Sequence, residues 1–160
     1  MNRQSDSEQR QRISTFEDLE VYQAARNFRR AMYRIAKQLP EIERFGLASQ
    51  VRRAGAISLT NNIAEGHGRY HYLDQIKFTL QARGPLEELI DDLIICEDEK
   101  YSHSEEINEL KQQGWRVRQL LDGYIRYLRQ QMTAGPRVKE DEFRTPNVVT
   151  IHDSRCNDSR

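Results

Sequence analysis

Cysteine is nearly absent from the chain: Cys96 and Cys156 are the only two in 160 residues. They are too few for a disulfide framework and too far apart for a metal knuckle, so a reducing compartment, the cytoplasm, is expected. Proline and glycine are scarce as well, at four and eight, which argues against a turn-rich sandwich or barrel. No apolar run approaches the roughly 20 residues of a membrane span, and Met1 to Arg12 lacks the apolar segment of a signal peptide. No membrane association is expected. Catalytic signatures are missing too. Gly66-His67-Gly68 lacks the lysine and Ser/Thr of a phosphate-binding loop, and there is no Glu-x-x-His pair of the kind di-iron bundles carry. No Ser or Cys sits in a recognisable nucleophile pattern. His67, His71 and Asp74 offer two histidines at i and i+4, but a glycine intervenes and no fourth ligand follows. The expectation is a protein that is not an enzyme and holds no metal or cofactor.

What is present is helical periodicity. Residues 1–14 are polar and read as a flexible arm, 15–132 as one helical domain, and 133–160 as a flexible tail. A first helix is expected from about Glu17 to Leu39, with Val21, Ala25, Phe28, Met32, Ile35 and Leu39 inward. Pro40 ends it. A second runs from about Arg44 to Glu65, with Leu47, Val51, Ala54, Ile57, Asn61 and Ala64 on one face. Its small residues, Gly55 among them, suit close helix packing, and Gly66 and Gly68 read as C-terminal glycines. A third extends from about Tyr70 to Lys100, kinked at Gly84-Pro85. Its inward residues are Leu73, Ile76, Leu80, Leu86, Leu89, Leu93 and Cys96, with Asp91 and Asp92 facing mostly outward. Ser102 and Glu105 read as a capping box opening a fourth helix to about Met132, whose seam is Ile107, Leu110, Gly114, Val117, Leu121, Tyr124 and Leu128.

Charge is balanced overall, with 25 basic and 25 acidic residues, but not locally. Residues 21–53 hold eight basic against two acidic, and 86–110 hold ten acidic against Lys100. Such segregation fits either steering of a partner or pairing between elements. On the first helix Arg26, Arg30, Arg34 and Lys37 fall opposite the apolar seam, a stripe able to follow phosphates, with Tyr22 and Tyr33 near enough to stack on bases. Lys111, Arg118 and Arg129 make a second row. The other polar constellation is Asn61, Asn62 and Glu65 beside Gly66 and Gly68. It suits a ligand site or a hydrogen-bond network that secures a helix end, and the surrounding pattern favours the network.

Four segments, Phe16-Glu17-Asp18-Leu19-Glu20-Val21-Tyr22, Gln50-Val51-Arg52-Arg53-Ala54, Asn62-Ile63-Ala64-Glu65-Gly66-His67-Gly68-Arg69 and Ala82-Arg83-Gly84-Pro85-Leu86-Glu87-Glu88-Leu89, occur in this order. In them the chain resembles the bacterial four-helix bundle protein family. That family includes proteins encoded in intervening sequences of large-subunit ribosomal RNA genes and is related to the accessory protein of diversity-generating retroelements. The resemblance spans about Phe16 to Gln131. It implies an antiparallel up-down four-helix bundle that assembles as a homopentameric ring. The basic stripe and the resemblance together make Arg26, Arg30, Arg34, Lys37, Arg52, Arg53 and Arg118 candidates to contact RNA or DNA, and a reverse transcriptase is a partner by family analogy only. The alternative is a protein-interaction scaffold whose charges join subunits or a partner. Two departures from the family pattern stand out: Pro85 where Ser is frequent, and one extra residue between Arg53 and Asn62.

Overall fold

A computed structural model describes residues 14–134, apart from the side chains of Ala56 and Ile57. The expected arm and tail therefore lie almost wholly outside the described residues, as does the inward placement of Ile57. Among the described residues the protein is all-helical. The α-helices are α1 (Glu20–Gln38), α2 (Leu47–Arg53), α3 (Thr60–His67), α4 (Tyr72–Gln81), α5 (Arg83–Asp98) and α6 (Ser104–Thr133).

The first helix begins later than expected, because Leu19 is extended (ψ 124°). Before it, Phe16–Asp18 form a 3-10 turn closed by a capping box, with Thr15 Oγ1 accepting from the Glu17 amide at 3.2 Å and Asp18 accepting from the Thr15 amide at 2.9 Å. The α1 seam is as expected: Val21, Ala25, Phe28, Met32 and Ile35 are buried, while Leu39 is half-buried.

The expected second helix is divided by a π-helical segment, Ala54–Leu59, between α2 and α3. A π-turn accommodates one additional residue within a helix, and this one lies within the stretch between Arg53 and Asn62, where one extra residue was expected from the resemblance. Its effect is a change of phase. Before it Leu47, Ala48 and Val51 are buried, at its two ends Ala54 and Leu59, and after it Thr60 and Ile63. Asn61, expected inward, is consequently exposed, and Ala64 is only half-buried. Gly55 is less constrained than its surroundings suggested: a Cβ there would lie 3.5 Å from Arg29 Cγ and 3.8 Å from Leu89, ordinary contact distances.

α4 and α5 follow one another with Ala82 between them still right-handed (φ −66°, ψ −19°), so the expected interruption is slight. Pro85 occupies the first turn of α5, where a missing amide hydrogen costs little. The seam differs from the expected one. Leu73 and Leu80 are 66% and 38% exposed, and the buried positions include Ile76, Thr79, Ala82, Leu86, Leu89, Ile90, Leu93 and Cys96. Thr79 tolerates burial because its hydroxyl donates to the Gln75 carbonyl at 2.7 Å. Asp92 also departs from expectation. It is fully buried rather than outward: Oδ1 accepts from Gln50 Nε2 of α2 at 3.1 Å, and Oδ2 has no partner among the described residues. Burial, reinforced by Asp91 and Glu88, pushes its carboxyl from 3.8 up to about 7.

α5 ends with Lys100 in the left-handed region (φ 58°), the amide of Lys100 donating to Glu97 and that of Tyr101 to the Cys96 carbonyl at 2.9 Å. This is the glycine-type helix stop, made here by a lysine. The N-cap of α6 is His103, not Ser102, and makes no side-chain cap bond. The Ser102 hydroxyl instead hydrogen-bonds the Glu106 carboxylate, so the expected capping box with Glu105 does not form. On α6 the seam follows expectation except that Ile125 is buried where Tyr124 was expected, with Tyr124 half-buried beside it.

The side-chain pairings give the helix directions. Arg29 meets Thr60 and Tyr33 meets Arg52, so α1 runs antiparallel to α2 and α3. Lys111 meets Glu97, Arg118 meets Glu87, and Arg83 lies 3.8 Å from Asp122, so α5 runs antiparallel to α6. A main core of residues from α1, α2, α3, α5 and α6 is continuous around Phe28, Met32, Ile63, Leu89 and Val117. A small separate cluster of Ile76, Ile125 and Leu128 joins α4 to the last turns of α6.

Candidate nucleic-acid interface

The amphipathic pattern of α1 places its arginines outward by necessity. With Val21, Ala25, Phe28 and Met32 buried, positions 26, 30, 34 and 37 must face away, and all four are exposed. At 1.5 Å rise per residue, the row from Arg26 to Lys37 is about 16 Å long, with successive arginines about 6 Å apart. Lys37 stands in the last turn, where a cation is favoured by the helix dipole.

Tyr33 joins this row to α2. Its hydroxyl donates to the Arg52 carbonyl at 3.4 Å, bringing the last turn of α2, with Arg52 half-buried and Arg53 exposed, beside the stripe. Along the outer side of α1 itself lies a shallow, open groove of about 500 Å³ lined by Arg29, Arg30, Tyr33, Arg34 and Lys37. Arg29 is partly committed, donating through Nη1 to the buried Thr60 hydroxyl at 2.8 Å. Tyr22 is not part of the groove. Its ring packs edge-on against Phe16 at 4.8 Å, within the fringe of the core.

The other basic residues are differently placed. Lys111 and Arg118 are turned toward the acidic face of α5, pairing with Glu97 and Glu87, and Arg118 also reaches Asp122 at 3.2 Å. The structure thus sets the end of α2, which carries Arg52 and Arg53, beside the α1 row of Arg26, Arg30, Arg34 and Lys37, and directs Arg118 at α5. Among the described residues, none of those six makes an ion pair with a carboxylate, whereas Arg44, Arg69, Arg83 and Arg116 each do. Charge runs on the sequence could not separate the two groups: Arg118 has a local partner in Asp122, four residues on, but its pairing with Glu87 and that of Lys111 with Glu97 join residues 31 and 14 positions apart and appear only on folding.

The polar cluster at the end of α3 is a joint, although not quite the expected one. The Asn62 side chain donates to the Ser58 carbonyl at 2.7 Å, and Glu65 pairs with Arg69. Arg69 also lies over the Phe78 ring at 4.5 Å, and Gln75 Nε2 donates to the Arg69 carbonyl at 2.8 Å. Asn61 takes no buried position. Gly66 is not a helix stop but a point of close approach: a Cβ there would sit 3.0 Å from Phe78 Cβ and 3.2 Å from the Gln75 carbonyl oxygen of α4. Gly68 caps α3 in the right-handed region (φ −74°) rather than the left-handed one. His71 precedes α4, its ring 5.0 Å from that of Tyr70. Among the described residues no three His, Cys, Asp or Glu side chains are grouped to hold a metal, and no helix is long and apolar enough to cross a membrane.

Among the described residues, an all-helical fold with a basic row on α1 that no carboxylate pairs is what the structure defines. The sequence pattern of the 23S rRNA-intervening sequence proteins matches residues 17–123, and the chain belongs to that family. No curated protein matches the chain.

Proposed function

We propose that the protein is a non-enzymatic, homo-oligomeric four-helix bundle that contacts RNA or DNA through Arg26, Arg30, Arg34, Lys37, Arg52 and Arg53. In this reading α1, the α2–α3 stretch, the α4–α5 stretch and α6 are the four antiparallel members, and five copies assemble into a ring. The observation that carries the proposal is the contrast between the two basic rows. Lys111 and Arg118 of the α6 row are paired with α5, leaving only the exposed Arg129 at its end, while the α1 row with the end of α2 has no carboxylate partner among the described residues. An uncompensated row of cations at helical spacing attracts a polyanion and releases its counterions. The family's name, which associates its members with intervening sequences of 23S rRNA, is compatible with such a partner. A reverse transcriptase is a further partner by analogy with the retroelement accessory protein.

Six phosphate contacts correspond to a slope of log Kobs against log salt of about −4 for a single strand. Reversing Arg26, Arg30 and Arg34 to Glu is expected to weaken binding of a structured RNA strongly and to flatten that slope to about −2 or less. Wild-type protein that binds no nucleic acid at low salt, or a triple variant that binds as well, rejects the proposal. The second reading, a protein-interaction scaffold, is favoured by the exposed Glu88, Asp91 and Asp98 of α5, which are complementary to the stripe of another copy. Dissociation of the assembly by high salt, together with no retention of nucleic acid, selects it.

A further inference from the structure

We infer that the groove on α1 takes an unpaired nucleotide, with Tyr33 as the platform on which its base stacks. The inference rests on the nucleic-acid reading above and assigns the ligand of that same surface. Tyr33 is the aromatic side chain of the groove, and it is flanked by cations on its own helix: Arg29 and Arg30 on one side, Arg34 and Lys37 on the other. The ring is held from behind. The hydroxyl is bonded to the Arg52 carbonyl at 3.4 Å, so its polar end is engaged with α2 while the half-buried ring remains a wall of the groove. A tyrosine so anchored loses little further freedom when a base lies against it.

The chemistry of the wall selects the form of the nucleic acid. Arginines on either side supply phosphate contacts at intervals of about 6 Å along one helix face, a single row suited to one backbone. Bases inside a duplex are stacked on their neighbours, and in A-form RNA the deep, narrow major groove hides their edges from side chains. A ring among phosphate-binding cations is used only by a base that has left the stack, in a single strand, a loop or a bulge. Stacking accepts any base, so the preference concerns strandedness rather than sequence. Arg29 complements this arrangement. Its guanidinium is fixed by the Thr60 hydroxyl at 2.8 Å, so it lines the groove without having to be ordered by the ligand.

The test compares a single-stranded 12-nucleotide RNA carrying one 2-aminopurine with the blunt duplex of the same sequence, using the full chain. Wild type is expected to bind the single strand and change the 2-aminopurine fluorescence. Tyr33→Leu, which keeps apolar bulk but no ring face, is expected to weaken single-strand binding roughly 5- to 150-fold and to abolish that change, with a much smaller effect on the duplex. Tyr33→Phe restores the ring and is expected to recover most of the loss. Thermal melts of each variant exclude a folding defect as the cause. If Tyr33→Leu binds the single strand as wild type does while Arg30→Glu and Arg34→Glu still weaken binding, the stacking inference is overturned and the nucleic-acid reading stands. Wild-type affinity in the charge-reversed variants overturns both.

Discussion

Asp92→Asn is the perturbation with the clearest energetic signature. In the folded protein the carboxyl is buried and shifted from 3.8 to about 7, with burial the main cause and Asp91 and Glu88 adding to it. The folded state therefore holds the proton more tightly than the unfolded chain. Stability from this group is present in full below about pH 4, falls as pH rises toward 7, and is lost above it. The difference between 3.8 and about 7 corresponds to about 4 kcal/mol over the whole window, of which about 3 kcal/mol falls between pH 5 and 8.5. Asparagine preserves the acceptor for Gln50 Nε2 but puts an amide where Oδ2 has no partner among the described residues, a cost of about 1–3 kcal/mol. That cost does not depend on pH. Urea unfolding of wild type and variant at several pH values separates the two contributions, because other titrating groups cancel in the difference. The variant is expected to gain about 3 kcal/mol relative to wild type on going from pH 5 to 8.5. A difference that stays constant over that range would refute the assignment of a buried, proton-holding carboxyl between α5 and α2.

Other perturbations address packing, backbone and thiol chemistry. At Gly114 a Cβ would lie 2.9 Å from Ile90 Cγ1 and 3.2 Å from Phe28 Cζ, whereas at Gly123 its nearest neighbour is an Arg126 nitrogen at 3.8 Å. Overpacking of about 1–3 kcal/mol outweighs the helix-propensity gain of about 1 kcal/mol at the first site only, so Gly114→Ala should lower Tm and Gly123→Ala raise it. Lys100→Gly relieves a left-handed lysine and should stabilise by up to about 1 kcal/mol in denaturant titration. Cys96 is buried and its thiol is pushed up to about 11, by burial first and then by the Asp92 and Glu43 charges. In a Cys156→Ser background it should resist a thiol reagent at pH 8 until the protein is denatured.

Apolar periodicity was sufficient for the long, regular parts of the chain. Val21 to Ile35 on α1 and Ile107 to Val117 on α6 are buried at the expected positions because no residue interrupts their count. It failed where the count is broken or where a polar side chain takes an inward position. The π-turn moves burial from the expected Asn61 and Ala64 to Thr60 and Ile63, and no periodic template contains that extra step. On α4 the leucines at 73 and 80 outweighed Thr79 and Ala82 in the pattern, yet the threonine's own backbone bond makes it the better inward residue. Asp92 reads as mostly outward beside the seam of Leu86, Leu89, Leu93 and Cys96, and the partner that makes its burial tolerable, Gln50, is 42 positions away. For the candidate interface the exposure of Arg26, Arg30, Arg34 and Lys37 followed from the α1 seam. The local i,i+4 pair with Asp122 hinted at the separation of Arg118 from that group, but its direction toward α5 depended on Glu87, 31 positions distant.

The π-turn between α2 and α3 has a consequence for how length variation is tolerated here. Each residue inserted into a regular α-helix rotates all that follows by about 100° about the axis, which would carry Leu59 and Ile63 out of the core. The wide turn confines that rotation to Ala54–Leu59, so α2 keeps its orientation on α1 while α3 is separately aligned with α4 through Gly66. The two halves are indexed independently although no loop divides them. Shortening this segment by one residue would return it to an ordinary α-helical turn and leave both ends in place, whereas the same deletion within α1 or α6 would misalign an entire buried face.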